Sequence, residues 1–234
     1  MKHIAIILAG GSGSRLGGDR PKQLLALSDG RSILEHSVDA FERAACIDEI
    51  AIVMHSDWIN EAEGLCQANG WTKVKKVLAG GKERWESSWK AIEAFNGERL
   101  VVSGERINLW FHDAARPWVS ERIIADVAKA LEENEAVTVA VKVTDTIYQV
   151  DRLGVSGERL VVDSIPPREC FMRAQTPQAF RIEVVEEAYQ RALSAGLIEA
   201  TDDCGIVKRW MPEQPIYIVE GEEKNKKITY KEDL

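Results

Sequence analysis

Ile4-Ala5-Ile6-Ile7-Leu8 is an unbroken apolar run, and it stops at Ala9-Gly10-Gly11-Ser12-Gly13-Ser14-Arg15. A short run of this kind, closed by glycines, predicts a strand buried on both faces, as in a parallel sheet covered by helices. The glycines predict a loop whose backbone N–H groups approach an anion closely, because no Cβ intervenes. Arg15 suits two-pronged contact with phosphate oxygens, and Lys22, in Pro21-Lys22-Gln23, supplies a mobile point charge. The segment reads as a polyphosphate loop. No Gly-Lys-Ser/Thr triplet closes it, which argues against the phosphate loop of ATPases. A dinucleotide fingerprint starting at Gly11 and Gly13 needs a third glycine where Leu16 stands. The plain alternative is a glycine-rich turn with two solvated cations.

Outward from this segment, strand-like and helix-like stretches alternate. Strands are predicted at Ile4–Leu8, Glu49–Met54, Val74–Leu78, Ile107–Phe111 and Ala136–Val143. Helices are predicted at Ser32–Ala45, Asp57–Asn69, Lys82–Phe95, Ser120–Glu133 and Ile182–Ala195. Ser32 with Glu35 has the spacing of a capping box, and Ser120 is a second candidate cap. Trp85 and Trp89 lie one turn apart and read as packing residues. The alternation predicts an α/β fold: a Rossmann-like, mostly parallel sheet with helices on both faces. Ligands of such sheets bind beyond the carboxyl ends of the strands, so the loops after Leu8 and Phe111 are expected to face one pocket. The pattern breaks between Thr144 and Glu169, where Ile147, Tyr148, Val150, Leu153 and Val155 precede a Gly154…Gly157 turn and Leu160-Val161-Val162. This reads as an inserted β-hairpin, either projecting toward a partner or folded back on its own domain.

The chain has 234 residues, enough for one large domain or two small ones. Its net charge of −8 argues against general nucleic-acid binding but leaves room for a local cationic pocket. Cys46, Cys66, Cys170 and Cys204 form no Cys-x-x-Cys pair, so reduced thiols and a cytoplasmic location are expected. The apolar start is too short for a signal peptide, and no membrane span is expected.

A second cluster is Phe111-His112-Asp113-Ala114-Ala115-Arg116-Pro117. Asp113 suits a Mg²⁺ ion that bridges nucleotide phosphates, and Arg116 suits an anionic second substrate. The alternatives are a turn cap for Asp113 and an ion pair for Arg116. His112 is read as a structural histidine rather than a base. Zinc-ligand spacing and a Ser-His-Asp set are not evident. Arg173–Phe180, Thr201-Asp202-Asp203 and Asn225–Thr229 read individually as a turn, a helix cap and a charged strand end. Taken together, Arg15, Lys22, Arg168 and Lys227 suggest a cationic surround for two phosphates.

The ordered set of these segments resembles the 2-C-methyl-D-erythritol 4-phosphate cytidylyltransferases of the non-mevalonate isoprenoid pathway. Leu8–Arg15, Pro21–Gln23, Gly80–Arg84 with Ser87, His112–Pro117, Asp145–Ile147, Gln175–Gln178, Thr201–Asp203 and Lys227–Thr229 carry the resemblance. It implies transfer of CMP from CTP to a polyol phosphate with Mg²⁺, by a single nucleotidyltransferase domain over 1–234 with 144–169 as a projecting arm. It also implies roles. Arg15, Lys22, Arg168 and Lys227 would be catalytic. Ala9, Gly10, Gly11, Gly13, Gly81 and Ser87 would hold the nucleotide, and Asp113 the metal. Arg116, Thr146, Thr176 and Thr201 would face the acceptor. Thr146 and Arg168 would reach into a neighbour's site, which implies a homodimer through the hairpin. The double glycine Gly10-Gly11 is shared with pentitol-phosphate cytidylyltransferases and makes ribitol 5-phosphate the alternative acceptor. Ala115 fits the methylerythritol branch.

Overall fold

The computed structural model describes residues 1–11, 20–99, 106–153, 159–196 and 198–233. Gly13, Arg15 and the Gly154…Gly157 turn lie outside the described residues.

The chain alternates as the apolar periodicity predicts. β1 (Lys2–Ala9) leads to α1 (Ile33–Arg43), then β2 (Glu49–Met54), α2 (Ile59–Asn69), β3 (Val74–Ala79) and α3 (Arg84–Arg99). β4 (Ile107–Asp113), α4 (Glu121–Glu133) and β5 (Ala136–Lys142) follow. β6 (Gln149–Leu153) and β7 (Arg159–Ser164) precede β8 (Met172–Arg181), α5 (Ile182–Ser194), α6 (Asp203–Trp210) and β9 (Tyr217–Glu220). The Ser32 hydroxyl accepts the Glu35 N–H while the Glu35 carboxylate accepts the Ser32 N–H, so the capping box forms and starts α1. Ser120 caps α4 by accepting the Ile123 N–H.

Seven strands form one sheet in the order β3-β2-β1-β4-β8-β5-β9. β1 runs parallel to β2 and β4, and β3 runs parallel to β2. β8 is antiparallel to both of its neighbours, β4 and β5, and β9 is parallel to β5. Alternate residues of β1 supply two core layers. Ala5 and Ile7 pack with side chains of α1, α2 and α4, while Ile4 and Ile6 pack with α3, α5 and α6. Helices therefore cover both faces, which explains why β1 carries no polar stripe.

Three elements escape the alternation rule. Arg173–Phe180 is not a turn but most of β8, a strand inside the sheet. Pro177 disguises it, because proline cannot donate to a ladder. The pairing with β5 skips there, from Val137↔Ala179 to Val139↔Gln175. α6 and β9 are short, eight and four residues, too brief to show a period. Asn225–Thr229 is not a strand end: Asn225 and Ile228 are fully buried.

β6 and β7 pair only with each other and form a separate two-stranded antiparallel sheet, inserted between β5 and β8. Tyr148, Val150, Leu160, Val162 and Ile165 on and beside this hairpin are exposed. No helix among the described residues is long and apolar enough to cross a membrane.

Candidate active site

The parallel strands β1, β2, β3 and β4 end on the same side of the sheet. Leu8 of β1 pairs with Asp113 of β4, and the Ala114 N–H donates to the Leu8 carbonyl at 3.0 Å. From β1 the chain crosses to β2 and β3 on one side, whereas β4 lies on the other. Such a reversal opens a crevice outside the carboxyl ends. The crevice is lined by Gly10, Gly11, Lys22, Gln23, Gly81, Lys82, Glu83, Arg84, Ser87, Asp113, Ala115 and Lys227.

One end of the cleft is walled by backbone. A Cβ on Gly80 would stand 2.9 Å from the Ser87 hydroxyl oxygen, and one on Gly10 3.2 Å from it. The loops after β1 and β3 therefore meet closely only because these positions lack side chains. Ser87 is buried at the start of α3, and its hydroxyl accepts the Gly81 N–H at 3.1 Å. Ala9 itself is buried in the core under α1.

The other end carries charge. Lys227 Nζ bonds Asp113 Oδ2 at 2.7 Å, and Arg84 Nε bonds Asp113 Oδ1 at 3.2 Å. Burial works against ionisation of Asp113, but Arg84 and Lys227 overcome it and hold the carboxyl well below the usual carboxylate range. Lys22 Nζ donates to the Ile228 carbonyl at 2.9 Å, which places Lys22 beside Lys227. Among the described residues four cations, Lys22, Lys82, Arg84 and Lys227, thus line the cleft against two carboxylates, Glu83 and Asp113, on a chain of net charge −8. The cations outnumber the carboxylates, and the excess attracts an anion.

Behind the cleft lies a set of hydrogen-bonded polar groups. Thr176 accepts the Asp113 N–H at 3.1 Å and contacts His112 Nδ1 at 3.0 Å. His112 Nε2 meets the Arg116 carbonyl at 3.0 Å. Burial depresses the His112 imidazole to about 4, so it stays neutral near pH 7, as the reading of it as structural requires. Asn225 Nδ2 donates to Gln175 Oε1 and to the Thr176 carbonyl, and the Ile228 N–H donates to the Ala115 carbonyl at 2.8 Å. These bonds clip the segment before Thr229 across β8 and aim Lys227 at Asp113.

The expected site residues divide into three groups. Lys22, Lys227, Asp113, Gly10, Gly11, Gly81 and Ser87 converge on one cleft. Thr176 differs from its expected place: it is 4% exposed and its hydroxyl is engaged behind Asp113. Among the described residues Arg116 forms no ion pair; its Nη1 and Nη2 donate to the Asn225 and Ala174 carbonyls. Thr146, Arg168 and Thr201 are exposed and do not line the cleft of their own chain. Arg168 Nη1 donates to the Thr144 carbonyl at 2.7 Å and ties the two ends of the hairpin insertion together.

Arg84, Gln23 and Asp203 were given no role by the sequence reading. Arg84 opens α3 three residues after Gly81, and Asp203 follows the Asp202 cap of α6, so both sit inside stretches already singled out. What the sequence hides is that β4 and α6 bring two carboxylates to one guanidinium.

The 2-C-methyl-D-erythritol 4-phosphate cytidylyltransferase family matches residues 3–234. The enzyme of that name from Thermobifida fusca is 44% identical over 98% of this chain and 89% of its own length. The bifunctional ribulose 5-phosphate reductase/CDP-ribitol pyrophosphorylase of Haemophilus influenzae is 37% identical over 100% of this chain and 47% of its own. Among solved structures, 4-diphosphocytidyl-2C-methyl-D-erythritol synthase from Anaerococcus prevotii superposes with a TM-score of 0.81 at 28% identity. That match covers 99% of this chain and 92% of the other.

Proposed function

The chain belongs to the 2-C-methyl-D-erythritol 4-phosphate cytidylyltransferase family, and we propose that it transfers CMP from CTP to 2-C-methyl-D-erythritol 4-phosphate. The observation that carries this reading is the meeting of Lys22, Lys227 and Asp113, far apart in sequence, around one cleft whose other end is glycine backbone. A phosphate oxygen of the acceptor attacks the α-phosphorus of CTP in line. The new bond joins that oxygen to the α-phosphorus, and the bond from the α-phosphorus to the bridging β-oxygen breaks, releasing pyrophosphate.

The attacking oxygen needs no strong base, because the second phosphate pKa is about 6. The barrier is repulsion between two anions, which placement and preorganised positive charge lower. Lys22 and Arg15 are given the role of stabilising the charge that grows at the α-phosphate, and Lys227 that of steadying the acceptor phosphate. Gly10, Gly11, Gly13, Gly81 and Ser87, with the backbone after Ala9, hold the cytidine. Among the described residues no three His, Cys, Asp or Glu side chains cluster for a resident metal. Asp113 offers an ionised carboxylate at the charged end of the cleft, and this fits Mg²⁺, which keeps waters and takes its remaining oxygens from phosphates. Bound there, Mg²⁺ supplies charge neutralisation to the triphosphate.

Residues 1–234 act as one nucleotidyltransferase domain whose arm, 144–169, pairs with a second copy of the chain. The exposed apolar side chains of β6 and β7 suit such a partner. The dimer would bring Thr146 and Arg168 to the neighbour's acceptor side, where Arg116 and Thr201 are placed by the same reading.

Pyrophosphate release tests the proposal, with CTP and three other nucleoside triphosphates against methylerythritol phosphate and ribitol 5-phosphate. Release with CTP and methylerythritol phosphate, at least tenfold above the ribitol rate, is expected. A preference for ribitol 5-phosphate would move the chain to the activity named for the Haemophilus relative.

A further inference from the structure

Asp203 is fully buried on the first turn of α6, away from the cleft lining, yet it is bonded to the cleft. Its Oδ1 accepts the Tyr189 hydroxyl at 2.7 Å, and its Oδ2 accepts Arg84 Nη1 at 2.7 Å. Arg84 then reaches Asp113 through Nε, and Asp113 reaches Lys227. Tyr189 is stacked on Trp89 at 5.9 Å between ring centroids, which fixes its hydroxyl. The Asp203 N–H donates to Gln178 Oε1 of β8, and Gln178 Nε2 donates to the Asp202 carboxylate. Tyr189 of α5 and Gln178 of β8 thus anchor the start of α6, and Arg84 joins it to α3.

Arg84 Nη2 is buried and has no hydrogen-bond partner among the described residues. Nε and Nη2 lie along one edge of a guanidinium, the edge that grips a carboxylate with two parallel bonds. Arg84 nevertheless offers Asp113 only Nε, because Asp203 holds the opposite nitrogen. We propose that Asp203 is a positioning residue. By holding Arg84 it keeps the Arg84–Asp113 contact single and leaves Asp113 Oδ2 for Lys227. Without Asp203 the guanidinium turns its Nε–Nη2 edge to Asp113, takes both oxygens and releases Lys227. Lys227 then loses its aim toward the acceptor phosphate. The structural part of this inference stands alone; its kinetic part rests on the function proposed above.

Two measurements test it. The first is a crystal structure of Asp203→Asn. Arg84 is expected to pair with Asp113 through two nitrogens, and Lys227 Nζ to lie beyond 4 Å from Asp113. Lys227 still within hydrogen-bond distance of Asp113 would overturn the inference whatever the substrate. Should Asp203→Asn fail to fold, the combined variant Arg84→Met, Asp203→Leu, Tyr189→Phe replaces the buried charges by apolar volume, a change that proteins tolerate. With no guanidinium left to compete, Lys227 should stay within hydrogen-bond distance of Asp113 in its crystal structure, and a Lys227 displaced beyond 4 Å there would overturn the inference equally.

The second is steady-state kinetics. Asp203→Asn should lower kcat about 10–100-fold, the usual loss when an outer partner of a site residue is removed. It should raise KM for the polyol phosphate several-fold and leave KM for CTP within about twofold, because the glycine-walled end does not depend on Asp203. Loss of folded enzyme alone would lower kcat with both KM values unchanged, and that result contradicts the inference. A wild type that releases no pyrophosphate would sink the proposed function but not the structural result.

Discussion

Asp113 is the residue through which the others communicate. Lys227 and Arg84 hold one oxygen each, and Thr176 fixes its backbone from behind. Removing a single charge-stabilising donor from such a site costs about 10²–10³ in rate. Lys22→Ala and Lys227→Ala are each expected to lose turnover on that scale with the fold intact by circular dichroism. Lys227→Ala should spare CTP affinity more than Lys22→Ala does; near-normal turnover in either would remove the assigned role. His112 contributes differently. Its folded imidazole titrates near 4, against about 6.5 when unfolded, so the unfolded chain binds more protons between those values. Stability therefore falls as pH drops from 6.5 toward 4, by on the order of 3 kcal/mol for a group this buried. Urea titrations across that window should show a shallower pH slope in His112→Asn than in the wild type; equal slopes would show that another group carries the effect.

At the scale of elements, β1 to β5 were legible as short apolar runs, and α1 to α5 as the longer mixed stretches between and after them. Ser32, Glu35 and Ser120 marked helix starts because caps are local chemistry. β8 was not legible: Pro177 and scattered polar residues hide a strand that is set by its neighbours, not by its own pattern. The same is true of the site. Lys22, Asp113 and Lys227 stand in recognisable motifs, but the Arg84–Asp203 pair depends on where α6 docks, and eight residues cannot announce that. The hairpin was visible from alternation alone, and its exposed apolar residues pose the question of a partner. If Arg168 acts in the neighbour's site, mixing Arg168→Ala with Lys22→Ala chains should restore activity, since one site of each mixed dimer then has both residues intact. Subunit exchange without recovery would place Arg168 outside the acceptor site.

Over the whole molecule, a chain of net charge −8 concentrates cations beyond the carboxyl ends of the central strands, where the strand order reverses between β1 and β4. The fold supplies this by topology. The loops after β1, β3 and β4 arrive together from one direction, and the segment after β9 crosses back to deliver Lys227. Two substrates that repel one another in water can share such a cleft, because the positive charge is in place before they arrive. The most direct test follows the oxygen atoms. With methylerythritol phosphate carrying oxygen-18 in its phosphate group, and unlabelled CTP, the reaction should leave all label in CDP-methylerythritol, one labelled oxygen bridging the two phosphorus atoms, and none in pyrophosphate. Label appearing in the released pyrophosphate would contradict attack by the acceptor phosphate on the α-phosphorus.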